Sequence, residues 1–266
     1  MGTPVVFIHG LWIAAGAWEP WIALFEEASY DAVAPTWPGE PDNIAEARRS
    51  PERQAGIGID AIVDHYANII GKLDERPIVI GHSFGGLFAQ KLLAQDLAAA
   101  AVAIDPAPMK GILRLPIAQL RSAFPVLGNP VNKNKAKGLT AKQFRYAFGN
   151  ALSEAESDAL HAAWAIPGPA LPLFEAAFAN FRRRSPAAVD TANSRRGPLL
   201  LISGTADHTV PDVVTRAAFK RYGSSTAVTE LQQFDGRGHS LTIDSGWRDV
   251  ADAVLEWVRA LPGTTA

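Results

Sequence analysis

The sequence predicts an α/β fold: a mostly parallel sheet of about six strands, with helices on both faces and a helical cap, or lid, inserted before the last two strands. Three observations carry this. Short apolar runs recur along the 266 residues, each followed by a turn and then a helical pattern, as expected of parallel strands buried on both faces. The segments between them repeat apolar residues at i, i+3, i+4 and i+7. The alternation then stops between Asp105 and Gly197, where Pro-rich joints and helical patches replace it.

The elements follow in order. "PVVFIHG" (4–10) opens the sheet and "DAVAPTWPG" (31–39) continues it. In "IDAIVDHYANIIGKL", Ile59, Ile62, Val63, Tyr66, Ile69, Ile70 and Leu73 make one apolar stripe, so a helix packs there on the sheet. "PIVIGHS" (77–83) is a short buried strand, and the breaker-free "LFAQKLLAQDLAAA" after it is a helix. "AAVAIDPAP" (100–108), "PLLLISGTADHTVP" (198–211) and "AVTELQQFDGRGH" (227–239) supply three more strands. "WRDVADAVLEWVRAL" closes the chain with a second amphipathic helix through Trp247, Val250, Val254, Trp257 and Leu261.

Between these lies the insertion. "TAKQFRYAFGNAL" and "SEAESDALHAAW" read as helices, the second opened by Ser153 and Glu156 in the spacing of a capping box. "NPVNKNKAKG" (129–138) reads as an exposed basic loop, and no convincing strand is found. The expected division is a core of 1–105 and 198–266, with a helical cap of 106–197 within the same domain. A cap over the C-terminal edge of a parallel sheet roofs any site located there.

Composition narrows the function. A hydrophobic content of 48% supports a large core. Lys+Arg 25 against Asp+Glu 27 leaves no basic footprint for nucleic acid. The absence of cysteine excludes disulfides, thiolate metal sites and a cysteine nucleophile. No apolar run approaches the ~20 residues of a membrane span, and "MGTPVVFIHG" lacks a signal-peptide pattern. A cytoplasmic protein with no membrane or nucleic-acid partner is therefore expected. Neither metal nor organic cofactor is expected, since no His-x-x-x-His pair, carboxylate cluster or G-x-G-x-x-G helix start is present. Oligomeric state is not legible.

Chemistry concentrates at strand ends. Gly81-His82-Ser83-Phe84-Gly85 matches G-x-S-x-G between a buried strand and a helix, the setting of a serine held in a tight turn. A serine hydroxyl needs a base to become a nucleophile. His239 in "DGRGHS" and Asp207 in "SGTADHTVP" both follow later strands at the same sheet edge. Asp105 in "AIDPAP" also ends a strand and competes with Asp207 as the acid, although Pro106 and Pro108 suit a rigid turn. Ser83 as a plain helix cap is the duller alternative. His9 and His82 read as turn scaffolding, His208 as structural, and His65 and His161 as surface or packing residues. Trp12 is the better pocket candidate, with Phe144 and Trp164 tentative; Phe124, Phe148, Phe174 and Phe178 line a pocket or pack the roof.

With these residues in place the chain resembles the α/β-hydrolase superfamily of serine esterases and lipases. Ser83, Asp207 and His239 follow that family's chain order, and "HGLW" (9–12) is similar to its oxyanion loop. The resemblance implies a Ser83 nucleophile, an Asp207–His239 base and an oxyanion hole from the N–H groups of Leu11 and Phe84. It also implies a serine hydrolase acting on a small to medium apolar carboxylic ester, lactone or thioester through an acyl-enzyme. Haloperoxidase, perhydrolase or C–C bond hydrolase activity, and a ligand-binding receptor with little turnover, are alternatives within the same family. The chain departs from the pattern by starting at the first parallel strand and by carrying "HGLW" where some lipases have "HGGG".

Overall fold

The computed structural model describes residues 2–261. Among these residues eight strands form: β1 (Pro4–Ile8), β2 (Asp31–Val33), β3 (Ile78–His82), β4 (Ala100–Ile104), β5 (Ala136–Lys137), β6 (Gly168–Pro169), β7 (Leu199–Gly204) and β8 (Thr229–Phe234). Six of them make one sheet in the order β2-β1-β3-β4-β7-β8. Every pairing in it is parallel, with registers such as Val6 opposite Val79 and Ala103 opposite Leu201. The chain leaves β1 toward β2 and returns on β1's other side as β3. The strand order therefore reverses between β1 and β3, and ligands of open α/β sheets bind at the C-terminal ends of strands beside such a reversal.

Among the described residues there are ten α-helices: α1 (Glu19–Glu27), α2 (Ile44–Arg49), α3 (Ile59–Ile70), α4 (Phe84–Ala94), α5 (Ile117–Leu127), α6 (Ala141–Ala147), α7 (Glu154–Trp164), α8 (Leu171–Ala177), α9 (Asp212–Arg221) and α10 (Trp247–Arg259). Strand alternation sorts the core into two layers. Val5, Phe7, Ile78, Ile80, Val102, Leu200 and Ile202 face α1 and α10, meeting Trp21, Phe25, Val250, Val254 and Val258. Val6, Ile8, Val79, Ala101, Ala103, Leu199 and Leu201 face α3, α4 and α9 on the opposite side. Each fully buried large side chain here contributes roughly 1.5–3 kcal/mol. The stripe expected for α3 is buried at Ile59, Ile62, Val63, Tyr66 and Ile70, and the helix stops at Gly71, before Leu73.

The segment between β4 and β7 holds α5 to α8 and shares the core layer of α3 and α4 through Phe144, Phe148, Ala170 and Phe174. It is not strand-free. β5 and β6 pair antiparallel, and residues 130–134 form a 3-10 turn, so "NPVNKNKAKG" is more ordered than an open loop. Two-residue strands, one of them containing Pro169, are too short to show periodicity. The capping box at α7 is half formed: Ser153 Oγ accepts from Glu156 N–H, while the Glu156 carboxylate accepts from Ser245 N–H at 2.8 Å. Residue 1 and residues 262–266 of the expected domain bounds lie outside the described residues. Among the described residues, no helix is long and apolar enough to cross a membrane.

Candidate active site

Ser83 occupies the turn between β3 and α4 with φ 56 and ψ −118. A non-glycine residue in such a region costs of order 1–3 kcal/mol and persists only where its surroundings fix it. Here Ser83 N–H donates to Ile104 O at 2.9 Å, and Ser83 O accepts from Leu87 and Ala107 N–H. A Cβ on Gly81 would lie 2.1 Å from Gly85 O, and one on Gly85 would lie 2.0 Å from Ile8 O. The flanking glycines are therefore a steric condition of the turn. The Ser83 side chain makes no capping hydrogen bond to α4, so helix capping does not account for it. Phe84 is the first residue of α4, whose leading N–H groups lack acceptors within the helix and carry its positive dipole end.

Asp207 follows β7 and His239 follows β8. Their side chains meet: His239 Nδ1 donates to Asp207 Oδ2 at 2.6 Å, with both groups fully buried. Asp207 Oδ1 also accepts from the N–H groups of Thr209 (2.6 Å) and Val210 (2.9 Å). Three donors hold the carboxylate, and one of them selects the histidine tautomer that leaves Nε2 as an acceptor. His239 Nε2 is buried and has no hydrogen-bond partner among the described residues. A Ser83–His239 hydrogen bond is therefore not formed in this arrangement; such bonds are often long before substrate binds. The His239 loop is latched by Arg237, whose guanidinium pairs with Asp244 and donates to Gly246 O at 3.0 Å. Nothing in the sequence had singled out that pair.

Two further titratable groups crowd the histidine. Asp105 is fully buried at φ 41, with Oδ1 accepting from Gly204 N–H at 2.8 Å. Burial, and then the charge of Asp207, push its carboxyl well above the usual range, which favours the protonated form. The His82 ring lies 4.6 Å from that of His239, and burial, then the charge on His239, hold it well below the ordinary value. Ligand atoms of His82, Asp105 and His239 lie within 4.8 Å of one another. The Asp207 hydrogen bond takes Nδ1 of His239, so Nε2 is the ring nitrogen left to a base or an ion there.

The loop after β1 is fixed from behind. His9 Nε2 lies 3.0 Å from Glu40 Oε2, both buried, and the ring stacks on Trp37 at 5.0 Å. Glu40 Oε1 accepts from Ala15 N–H at 3.2 Å, and Trp12 takes φ 73. The loop therefore turns beside the start of α4.

Leu11, Trp12, Ser83 and Phe84 line one cavity of about 340 Å³, with Met109, Ile112, Leu120, Phe148 and Leu173 among its other walls. Phe144 and Trp164, expected in the pocket, are not on it. Phe144 is buried behind, stacked on Phe148 at 4.8 Å, and Trp164 packs at Gly16. Phe148 takes the place expected of them: it lines the cavity and its ring is 4.7 Å from His239. The i, i+4 spacing of Phe144 and Phe148 marks two aromatics on one face but not which of them meets the cavity. The other histidines contact backbone carbonyls: His65 that of Thr36, His161 that of Leu139 and His208 that of Tyr146.

Comparison with known proteins agrees with this architecture. The sequence model described as the alpha/beta hydrolase family matches residues 5–253. The chain belongs to that family. Among solved structures, a monoacylglycerol lipase from Paleococcus ferrophilus is similar with TM-score 0.67 at 22% identity, covering 97% of this chain and 95% of its own. An extracellular alpha/beta-hydrolase from a Paenibacillus species gives 0.69 at 20%, covering 96% and 98%. A methylesterase from Arabidopsis gives 0.69 at 16%, covering 97% and 100%. At these identities the likeness is one of fold. A comparison with curated proteins finds no match.

Proposed function

We propose that this protein is a serine hydrolase that cleaves small to medium apolar carboxylic esters through an acyl-enzyme on Ser83. The observation that carries the reading is the buried Asp207–His239 hydrogen bond at the same sheet edge as the strained Ser83 turn. His239 Nε2 takes the Ser83 proton as the hydroxyl oxygen attacks the ester carbonyl carbon, and Asp207 stabilises the imidazolium. The N–H groups of Leu11 and Phe84 receive the oxyanion, where one lost donor typically costs ~10²–10³ in rate. His239 then protonates the leaving alcohol, and water, activated by the same ring, releases the acid. Residues 106–197 act as the cap, supplying Met109, Ile112, Leu120, Phe148 and Leu173 to the cavity wall. A volume of about 340 Å³ with mostly apolar walls favours a compact acyl or alcohol group.

The test is intact-mass spectrometry after exposure to a fluorophosphonate, alongside turnover of p-nitrophenyl esters of graded chain length. Wild type gains one adduct and turns over short esters, while Ser83→Ala gains none and loses roughly 10⁶-fold in kcat. A folded wild type that is neither labelled nor active excludes the reading.

A further inference from the structure

Charge is unevenly divided along the chain. Residues 106–197 hold thirteen Lys and Arg against five Asp and Glu, although the whole chain has 25 against 27. The same segment contains eight of the ten exposed large apolar side chains among the described residues. Leu113, Leu115, Leu120 and Phe181, the last 85% exposed, lie on the rim of the Ser83 cavity. Ile117, 83% exposed, and Phe124 line an adjoining groove of about 580 Å³ that shares Leu120 and Ser122 with the cavity. The apolar residues therefore form one surface around the entrance.

Basic groups are set into that surface. Arg114 is on the cavity rim, Arg121 and Lys142 line the groove, and neither lining contains an Asp or Glu. Arg182, Arg183 and Arg184 follow Phe181 and are exposed. Lys110 Nζ donates to the carbonyls of Arg182 and Arg183 at 2.6 and 2.7 Å, which adds a fourth cation there. The segment's carboxylates are engaged elsewhere: Glu154 and Asp158 with Arg145, Glu156 with Ser245 N–H, Glu175 with Ile59 N–H and Asp190 with Ala192 N–H. Of these, Glu175 also feels the charge of Arg182; the other rim and groove cations, Arg114, Arg121 and Lys142, have no Asp or Glu beside them in either lining.

We propose that this rim docks on the surface of an anionic phospholipid bilayer, so that a lipophilic ester enters the cavity directly from lipid. The second half rests on the hydrolase reading; the first does not. Exposed apolar patches at a cavity mouth mark contact surfaces. An interfacial element buries Leu, Ile and Phe at the head-group boundary while Lys and Arg meet lipid phosphates. A second copy of the chain placed face to face would set this basic surface against itself. The expectation of no membrane partner rested on the absence of a spanning segment, which peripheral docking does not need.

The experiment is vesicle sedimentation of the whole protein, as wild type and as Ser83→Ala. It compares phosphatidylcholine vesicles with vesicles containing about one third phosphatidylserine. Both proteins should bind the anionic vesicles, with binding falling as salt rises. Ile117→Glu combined with Phe124→Glu should weaken binding about tenfold or more, with hydrolysis of a soluble short ester unchanged. Arg182→Glu combined with Arg183→Glu should remove the preference for phosphatidylserine. Absence of sedimentation with anionic vesicles at low salt overturns the proposal, as does undiminished binding of the Ile117/Phe124 variant. A solution dimer that this variant converts to monomer also overturns it, assigning the rim to a second copy. A wild type that takes no fluorophosphonate label yet binds the vesicles would instead count against the hydrolase reading alone.

Discussion

The imidazole rings of His82 and His239 lie 4.6 Å apart, tilted by 44°. Burial first, and then the charge on His239, hold His82 well below its ordinary 6.5. Two cations this close in a buried site repel strongly, so a neutral His82 suits the proton-accepting role proposed for His239.

This arrangement makes stability pH-dependent. The unfolded chain binds a proton at His82 as pH falls through 6.5, while the folded chain refuses it, so stability is lost on the acid side. His82→Gln removes that loss along with the packing of the ring. The melting temperature of wild type should exceed that of His82→Gln most at pH 8, with the gap narrowing toward pH 5. A gap that widens on acidification would mean that His82 is charged in the fold.

Asp105 and Asp207 separate by environment. Asp207 accepts three hydrogen bonds, one of them from His239, whereas Asp105 accepts one from Gly204 and its carboxyl is pushed up by burial and by Asp207. Asp207→Asn should lower kcat by about 10⁴-fold by disturbing the His239 tautomer. Asp105→Asn should keep kcat within about tenfold, since an amide oxygen still accepts from Gly204 N–H. The linkage sign is opposite to that of His82. A raised carboxyl value means that stability is lost as pH rises above the ordinary 3.8. Asp105→Asn should therefore melt roughly 2–4 °C or more above wild type at pH 8, with the difference closing toward pH 4. A crippled Asp105→Asn beside a mild Asp207→Asn would reverse the assignment of the acid.

The six apolar runs and the residues at their ends were legible because buried parallel strands are continuous in apolar residues and their C-terminal ends share one edge. Ser83, Asp207 and His239 follow from that edge. Which aromatic faces the cavity was not legible, because Phe144 and Phe148 have the same chemistry and differ only in helix orientation. The Arg237–Asp244 latch and the Glu40 contact to His9 join residues distant from any motif, and only the fold brings them together. The β5–β6 pair is two residues long on each side, below the length at which periodicity exists.

Glu40 tests whether the loop after β1 is held from behind. Its carboxylate contacts His9 Nε2 and accepts from Ala15 N–H, both buried. Removing the carboxylate leaves the buried Ala15 N–H without its acceptor and costs about 1–3 kcal/mol, with the lost packing added. Glu40→Ala should melt well below wild type, whereas Glu40→Gln retains an acceptor and separates folding from function. In Glu40→Gln, kcat should fall about tenfold or more with a smaller change in KM, because the Leu11 N–H is misplaced only for the oxyanion. A raised KM with kcat unchanged would mean that the loop contributes to binding alone.

Gly85 sets two effects against each other. Alanine in a helix is favoured over glycine by about 0.8–1.0 kcal/mol, so Gly85→Ala in α4 would stabilise an isolated helix. In this fold the new Cβ lies 2.0 Å from Ile8 O and 2.7 Å from His9 O, both backbone atoms of β1 and the loop after it. Neither can yield without moving the strand beside β3, and overpacking of this kind typically costs 1–3 kcal/mol, with backbone clashes at the upper end or beyond. The clash outweighs the propensity, and the displacement falls on Ser83 and the Leu11 loop together. Gly85→Ala should therefore lose soluble yield or melt several degrees lower, with kcat falling further than stability alone explains. Circular dichroism melting and ester turnover on the same preparation check this. A variant as stable and active as wild type would show that α4 can move away from β1, and the steric account of the elbow would fail.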